Sequence, residues 1–250
     1  MKRPIILAFG LGSYGIFFVT FLYAIGFVGN FIVPTTLDAT PTTPVQDALL
    51  IDILLLCAFG IQHSGMARPF FKQWLTKWIP AAAERSVYVL ASSLGLIALM
   101  KYWSPIGGSV WNIQGPFGWV AAYALFAFGW VLVLISTFVI NHFDLFGLRQ
   151  AWFGFRGRPC KPVKFVTPWL YRIVRHPLYL GWLLAFWATP TMTSSHLLFA
   201  IVATTYILVA IQLEENDLAE VHPEYKEYQR SVPMLIPRFV LKSRPAYQDE

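Results

Sequence analysis

The most specific chemical signal in this sequence is the string RHPLYLG at 175–181, where a basic stretch meets an apolar one. Proline is favoured at the first position of a helix because its missing N–H would have no partner there. A helix that begins at Pro177 directs free amides and a partial positive charge toward an anion. A glycine on the first turn permits close approach of a ligand or a backbone. The string predicts an anion-binding helix start, and the candidate residues in it are Arg175, His176, Pro177, Tyr179 and Gly181.

Acidic and aromatic residues follow one apolar stretch later. Glu214 and Glu215 end that stretch, and two adjacent carboxylates repel each other unless a cation, an arginine or a ligand compensates them. Tyr225 and Tyr228 lie on a predicted amphipathic tail that could fold as a lid over the site. A ligand that needs an anion site, acidic neighbours for a cation and an aromatic surface for a flat ring is well described by S-adenosylmethionine.

Other polar residues stand at the ends of apolar stretches and could activate a nucleophile. Histidine is the commonest general base, and a carboxylate can orient it. His142 and Asp144 supply both groups, although their spacing places them on different faces of a helix unless a loop intervenes. Arg85 could stabilise an anion with Glu84 or Asp144 holding it, or Glu84 and Arg85 could equally form a salt-bridged helix entry. The candidate catalytic residues are His63, Glu84, Arg85, His142 and Asp144.

The elements that position these groups belong in a membrane. Of 250 residues, 56% are hydrophobic and 13% are charged, and the mean hydropathy of +0.55 excludes an ordinary soluble chain. Two cysteines, Cys57 and Cys160, cannot build a disulfide framework or a metal cluster, so we expect no metal. The net charge of +6 is typical of membrane loops. Because no basic stripe is interleaved with aromatics, we expect no nucleic-acid partner.

Runs of about 20 apolar residues, the length that crosses a bilayer core, predict an all-α polytopic helical bundle with about six spans. When the spans alternate, all of the 19 lysines and arginines except Lys101 fall on one side. Basic residues remain on the cytoplasmic side, so we expect both termini and a polar pocket there, in the cytoplasmic membrane of a bacterium. The predicted spans are 5–30, 47–66, 86–103, 117–140, 177–192 and 195–213.

Two polar residues outside these groups receive structural interpretations. Asp52 is the one acid well inside a predicted span, and we expect it to be neutral or paired near the far interface. His196 is interpreted as an interfacial residue. The far side of the membrane is predicted to hold no polar cluster comparable to the cytoplasmic one.

Taken together, the C-terminal motifs carry a family resemblance. The string at 175–181, the Glu-Glu pair at 214–215 and the Tyr-x-x-Tyr at 225–228 resemble membrane methyltransferases related to isoprenylcysteine carboxyl methyltransferase and bacterial phospholipid methyltransferases. This match covers roughly 165–237.

Three strings in the front half extend the resemblance to most of the chain. They are QHSGMAR at 62–68, ERSVYVL at 84–90 and NHFDLFG at 141–147. They are similar to the branch of this family that contains NnrU-like proteins and methanethiol S-methyltransferases.

The resemblance implies one integral-membrane methyltransferase domain over 1–250, with the acceptor side in 1–150 and the S-adenosylmethionine-binding region in 165–237. It implies cofactor contacts from the 175–181 string, with the two glutamates and two tyrosines of the C-terminal motifs closing the pocket. It further implies transfer of the methyl group to the sulfur of methanethiol, which yields dimethyl sulfide.

Two alternatives remain open at the level of sequence. A methyltransferase acting on isoprenylcysteine or phospholipid would keep the C-terminal motif and add a lateral cleft. A transporter or assembly factor without enzymatic activity would place polar residues through the midplane, where Asp52 stands almost alone, and no inverted repeat supports it. The sequence does not decide the oligomeric state.

Overall fold

The computed structural model describes residues 2–161 and 168–237, and it is built almost entirely of helices. The helices are α1 (Arg3–Gly29), α2 (Val45–Ala67), α3 (Pro69–Leu75), α4 (Ala81–Tyr102), α5 (Pro116–Ile140), α6 (His142–Leu145), α7 (Leu148–Arg156), α8 (Pro177–Trp187), α9 (Ser194–Val221) and α10 (Tyr225–Ser231). Two short strands, β1 (Ser109–Asn112) and β2 (Thr191–Thr193), and a 3-10 turn (Trp169–Arg172) complete the described elements. The prediction of an all-α membrane bundle is confirmed.

Some positions used in the sequence analysis lie outside the described residues. They are Lys164, Arg238, Lys242 and Arg244 of the basic tally, and 165–167 of the predicted binding region.

Five helices, α1, α2, α4, α5 and α9, are long and apolar enough to cross a bilayer. The predicted span at 177–192 is shorter than expected, because α8 ends at Trp187 after 11 residues. At 1.5 Å per residue this helix rises only about 16 Å, roughly half the apolar core of a bilayer. The chain then turns through Pro190 into β2, so the hairpin between α8 and α9 is closed by a strand.

Helix packing leaves the middle of the bundle loosely filled. α5 packs closely along α8, and α4 packs on α1 and α2, whereas α9 makes sparser contacts with α2 and α8. The tight α5–α8 contact has a local cause, because Gly129 and Gly181 let the two backbones approach. A Cβ atom added to Gly181 would lie 2.8 Å from the carbonyl oxygen of Gly129 and 2.8 Å from the amide of Val133.

The helices alternate in direction and define two ends. We call the end where α2, α5 and α9 finish and α4 and α8 begin the polar end. At the opposite end, β1 pairs antiparallel with β2, and His196 is fully buried with its Nδ1 2.9 Å from Asp38 Oδ2. His196 was interpreted as interfacial, and it lies at the start of α9, but protein and not solvent surrounds its ring. This end therefore contains a buried polar pair, although it has fewer polar groups than the polar end.

Asp52 is fully buried, and its Oδ1 accepts a hydrogen bond of 2.8 Å from the backbone N–H of Ser104. Asp52 is therefore paired toward the far end of its span, as expected, but its partner is a backbone amide and not a charged residue. A buried carboxylate held in this way fixes the end of α4 against α2.

The glycine contact between α5 and α8 generates a stability prediction. Gly129→Ala places a Cβ 2.7 Å from the backbone nitrogen of Ala185, so the helices must separate, at a cost of about 1 to 3 kcal/mol. Gly12→Ala on α1 is the matched control, because a Cβ there meets nothing within 4 Å. Thermal unfolding in detergent checks the difference, and equal unfolding temperatures for the two variants would contradict the proposed contact.

Candidate active site

A cavity of about 1250 Å³ opens from the polar end into the interior of the bundle. Apolar and aromatic side chains line most of it, and polar side chains gather near its mouth. The sequence-predicted residues among its lining are His63, Arg85, His142, Arg175, His176, Tyr179, Glu214, Tyr225 and Tyr228. Pro177, Gly181, Glu215, Glu84 and Asp144 are absent from the lining that the described residues form.

Glu215 is the hub beneath the mouth of the cavity. Its carboxylate accepts hydrogen bonds from Arg175 Nε at 2.7 Å, from Arg175 Nη2 at 3.2 Å and from Gln229 Nε2 at 2.9 Å. Its Oε1 is also 2.8 Å from His176 Nε2. Glu215 and His176 are buried, and 11% of the Arg175 side chain is exposed. The predicted compensation of the adjacent carboxylates is thus provided for Glu215 by an arginine and a histidine.

Arg175 and His176 also hold the C-terminal tail over the cavity. Nη1 of Arg175 donates to the carbonyl oxygens of Gln229 and Val232. The backbone N–H groups of Arg175 and His176 donate to the carbonyl oxygens of Pro233 and Met234, at 2.9 and 3.1 Å. Most of the guanidinium is therefore committed to protein partners, and these two residues position the tail more than they offer free donors.

Backbone N–H groups without a protein acceptor among the described residues follow directly, in the first turn of α8. The N–H groups of Leu178 and Tyr179 have no acceptor among the described residues, as is usual in the first turn of a helix. The Tyr179 hydroxyl donates to Glu214 Oε2 at 3.1 Å. Tyr179 therefore offers an amide donor through its backbone and holds a carboxylate at the end of its side chain.

Aromatic residues of the tail and of the 3-10 turn close the mouth. Tyr225 is almost fully buried, and Tyr228 donates to the carbonyl oxygen of Tyr171. Burial raises the pKa of Tyr228 to about 12, and burial also raises the pKa of Tyr225 and Tyr171. All three hydroxyls are consequently neutral near pH 7 and can donate hydrogen bonds.

Pro177 and Gly181 serve the helix rather than the cavity. Pro177 is buried at the first position of α8, and Gly181 faces the backbone of α5. The glycine therefore meets a neighbouring backbone, which was one of the two roles predicted for it.

On the acceptor side, His63 of α2 contacts α4. Its Nδ1 is 3.0 Å from Ser92 Oγ. The Tyr88 hydroxyl lies over the imidazole ring, 3.0 Å from Nε2 and 3.3 Å from Nδ1. The guanidinium carbon of Arg85 lies 5.0 Å from the centre of the Tyr88 ring. Arg85 Nε donates to the carbonyl oxygen of Leu145 at 2.8 Å, and no salt bridge joins it to Glu84 among the described residues. Arg85 is therefore held by a backbone carbonyl rather than by Glu84 or Asp144.

His142 lies on the other side of the cavity and is not oriented by Asp144. Its Nε2 is 2.8 Å from the Tyr14 hydroxyl and its Nδ1 is 2.8 Å from Thr137 Oγ1. Asp144 instead accepts from Arg149 at 2.6 Å, so the hypothesis of a His142–Asp144 pair is wrong. Burial lowers the pKa of His142, which is therefore neutral near pH 7.

Sequence reasoning missed several tyrosines of the cavity. Tyr88 stands one helical turn after Arg85, so the helix period alone could have placed both on the face toward the cavity. Tyr14 and Tyr206 gave no such signal, because each contacts a polar residue more than a hundred positions away, His142 and Ser64 respectively.

Fold and cavity together define an integral membrane protein with a large cavity that opens at one end of a helical bundle. A model of the phospholipid methyltransferase family matches residues 117–224. A methanethiol S-methyltransferase of Crocosphaera subtropica is 52% identical over 97% of this chain and 96% of its own length. Methanethiol S-methyltransferase 2 of Bradyrhizobium diazoefficiens is 51% identical over 97% of this chain and 93% of its own. A methanethiol S-methyltransferase of Mycobacterium tuberculosis is 50% identical over 95% of this chain and 98% of its own length.

The chain therefore belongs to the family of these methanethiol S-methyltransferases. The family resemblance described from the sequence motifs is confirmed. No solved structure matches the chain.

Neutralising Glu215 should lower the stability of the protein much more than neutralising its neighbour Glu214. Glu215→Gln leaves the nearly buried Arg175 without its counter-ion, which costs about 3 kcal/mol and lowers the unfolding temperature by roughly 5 to 10 °C. Glu214→Gln alters an exposed residue that accepts a hydrogen bond from Tyr179, and we expect the unfolding temperature to change by about 1 °C or less. Thermal unfolding of both variants in the same detergent measures the difference, and equal losses would argue against the assignment of Glu215 as the hub.

Proposed function

We propose that this protein transfers a methyl group from S-adenosylmethionine to methanethiol and so forms dimethyl sulfide. The observation that carries the proposal is a single cavity that joins two kinds of site. Near its mouth are a helix start for an anion and Glu214 for a cation on one side, and histidine, arginine and tyrosine side chains of α2 and α4 on the other, with apolar walls deeper in the bundle. The names of the relatives, which are about 50% identical over nearly the whole chain, support the same reaction.

The residues at the mouth fit the methyl donor. Its carboxylate would meet the free amides of Leu178 and Tyr179, and Glu214 would lie near its positive charge. Tyr225 and Tyr228 provide aromatic faces for the adenine. The donor supplies an electrophilic methyl group on a sulfonium.

The walls deeper in the cavity suit the chemistry of the acceptor. Methyl transfer requires the nucleophile and the methyl carbon in line, so positioning provides much of the rate. A thiolate that attacks a sulfonium neutralises both charges, and a cavity lined mostly by apolar groups favours that change. The thiol must first lose its proton, because a thiol with a pKa near that of cysteine, about 8.5, is mostly protonated at pH 7.

The size of the cavity favours a second candidate acceptor. About 1250 Å³ exceeds the usual range for one small ligand, and the deep walls are apolar. A phospholipid or an isoprenylcysteine would use that space, and the matching family model carries the name phospholipid methyltransferase. A small thiol that dissolves in the bilayer needs no such volume, so the choice rests on a direct comparison of acceptors.

The decisive experiment supplies purified protein with labelled S-adenosylmethionine and with methanethiol, isoprenylcysteine or phospholipid in parallel. We expect dimethyl sulfide from methanethiol and little label in the other acceptors. Label in a lipid acceptor alone would establish the second candidate, and label in none would end the proposal.

A measurement of donor affinity tests the role of Glu214. Loss of a hydrogen-bonded carboxylate beside a cation is worth roughly 1.5 to 3 kcal/mol, so Glu214→Gln should weaken binding of the donor about 10- to 100-fold. Glu227→Gln is the control, because Glu227 is 80% exposed on the outside of α10. Calorimetric titration with S-adenosylmethionine measures both variants, and equal affinity in wild type and Glu214→Gln would remove that residue from the site.

We further propose that the polar end faces the cytoplasm of a bacterium. Except for Lys101, the lysines and arginines in the described residues lie toward this end, as expected for cytoplasmic loops.

Orientation can be measured with single cysteines in a background that lacks Cys57 and Cys160. Lys101→Cys, on the exposed end of α4, should react with an impermeant maleimide in spheroplasts. Lys77→Cys, which is exposed near the polar end, should react only after permeabilisation. The reverse pattern would overturn the orientation.

A further inference from the structure

We infer that Tyr14 takes the proton of the thiol and passes its own hydroxyl proton to His142, so that the two residues generate the nucleophile for methyl transfer. This inference rests on the proposed thiol methyltransferase function and adds the groups that activate the acceptor. His142 belongs to a motif of the sequence, whereas Tyr14 lies on a predicted span outside every motif.

The hydrogen bonds of Thr137 fix which nitrogen of His142 carries its proton. The Thr137 hydroxyl donates to the carbonyl oxygen of Leu134 at 2.7 Å. Its oxygen can therefore only accept in the contact of 2.8 Å with Nδ1 of His142. Nδ1 is protonated, and Nε2 of the neutral ring has a lone pair. The Tyr14 hydroxyl, 2.8 Å from Nε2, is consequently the donor of that bond.

The Tyr14 hydroxyl meets the edge of the imidazole and not its face. The planes of the two rings are nearly perpendicular, at 82°, with centroids 5.6 Å apart. Phe138 covers a face of the imidazole, with centroids 4.1 Å apart and an angle of 5° between the planes. The hydroxyl proton therefore points toward the in-plane lone pair of Nε2, as proton transfer requires. By contrast, the Tyr88 hydroxyl lies over the face of the His63 ring.

The aromatic neighbours of His142 suit a ring that gains a proton. Burial lowers the pKa of His142, so the ring begins the reaction as a neutral base. A cation over the face of an aromatic ring, within about 6 Å of its centre, is attracted by that ring. Phe138 lies at 4.1 Å and Phe146 at 4.8 Å from the imidazole, between centroids. These contacts offset part of the cost of a transient buried imidazolium.

The packing of α5 on α8 fixes the level of the pair in the bundle. The two helices run in opposite directions, since α5 ends and α8 begins at the polar end. A Cβ atom on Gly181 would lie 2.8 Å from the backbone nitrogen of Val133. One turn further along α5 is Thr137, and one turn back along α8 is Pro177. Thr137 therefore lies at the level of the first turn of α8.

That level is also the level of the proposed donor site. The amides of Leu178 and Tyr179, in the first turn of α8, are the proposed partners of the donor carboxylate. Two methylene groups of S-adenosylmethionine separate the carbon that bears this carboxylate from the sulfonium. A donor bound there carries its methyl group close to the level of Thr137, to which His142 is hydrogen-bonded. Tyr14 and His142 line the same cavity as Leu178 and Tyr179.

Arg85 adds positive charge next to the helix that carries His142. Its Nε donates to the carbonyl oxygen of Leu145 at 2.8 Å, and Leu145 ends the short helix α6 that His142 begins. Arg85 also lines the cavity. A nearby cation stabilises both a thiolate and a transient tyrosinate.

The step balances in atoms and electrons. The S–H bond of the thiol breaks, its proton goes to the Tyr14 oxygen, and the hydroxyl proton of Tyr14 goes to Nε2 of His142. A lone pair on the thiolate sulfur forms the new S–C bond, and the electron pair of the broken sulfonium bond stays with the donor sulfur. His142 then returns a proton through Tyr14 to water at the mouth of the cavity. The net products are the thioether, the demethylated donor and one proton.

The first test uses Tyr14→Phe, which keeps the ring and removes the hydroxyl. General-base catalysis is worth about 10²- to 10⁴-fold, so we expect at least about a 100-fold loss of kcat/KM with methanethiol at neutral pH. His142→Gln, which cannot hold the extra proton, should lose as much. An aromatic thiol, which is more acidic and already largely ionised, should lose less than about tenfold in both variants, because it needs no base.

Tyr23→Phe is the matched control on the same helix. It also removes a hydroxyl that is hydrogen-bonded within the protein, to Thr35, but Tyr23 is not part of the cavity lining that the described residues form. Tyr14→Phe and Tyr23→Phe should lower the unfolding temperature alike, by about 2 to 4 °C. Tyr23→Phe should keep the rates of the wild type with both thiols, and all variants should keep its affinity for S-adenosylhomocysteine.

The second test does not depend on methyl transfer. In protein labelled with nitrogen-15 at histidine, the NMR signals of His142 should show a protonated Nδ1 and an unprotonated Nε2, and His142→Gln assigns them by their loss. In Tyr14→Phe the Nε2 signal should move downfield, because its lone pair loses the hydroxyl donor. Tyr23→Phe should leave both signals in place.

The possible outcomes distinguish the pair from the function on which it rests. A wild type that methylates neither thiol would contradict the proposed function and the pair with it. Wild-type rates in Tyr14→Phe, or equal losses with the two thiols, would overturn the pair alone. So would a His142 ring protonated at Nε2.

Discussion

The structure of the polar end depends on one buried carboxylate, that of Glu215. It bonds Arg175, His176 and Gln229, which belong to the start of α8 and to α10, so three parts of the chain meet at a single side chain. A buried charge is costly unless every partner is in place, so the interaction specifies one arrangement more than it adds stability. The position of the tail over the cavity follows from that constraint, because Arg175 also binds the tail through its guanidinium and its backbone.

Because of that constraint, neighbouring residues that look equivalent in the sequence have different roles in the structure. Glu215 is buried and faces protein partners, whereas Glu214 is exposed and lines the cavity. Arg175 and His176 belong to the same motif as Tyr179, yet they mainly hold protein while Tyr179 and the free amides beside it remain available to a ligand. A motif at a helix start can thus contain a scaffold and a binding surface in adjacent positions.

The bundle also separates polar from apolar space along its axis. Glycine contacts press α5 and α8 together, while α9 packs only loosely on its neighbours and leaves the interior open. At the opposite end, the buried pair of Asp38 and His196 joins the segment before α2 to the start of α9 and so holds the α8–α9 hairpin in place. An apolar cavity between two polar ends is suited to the proposed reaction, in which opposite charges cancel.

Sequence by itself determined the membrane class, the five long helices that can cross the bilayer, the family and most of the charged and histidine residues that line the cavity, because hydropathy, charge asymmetry and short motifs are local properties of the chain. It did not determine how far α8 extends, since its 11 residues end where β2 pairs with a strand from another loop. It also could not assign partners. His142 binds Tyr14 from 128 positions away rather than Asp144 two positions away, because helix packing and not spacing decides which side chains meet.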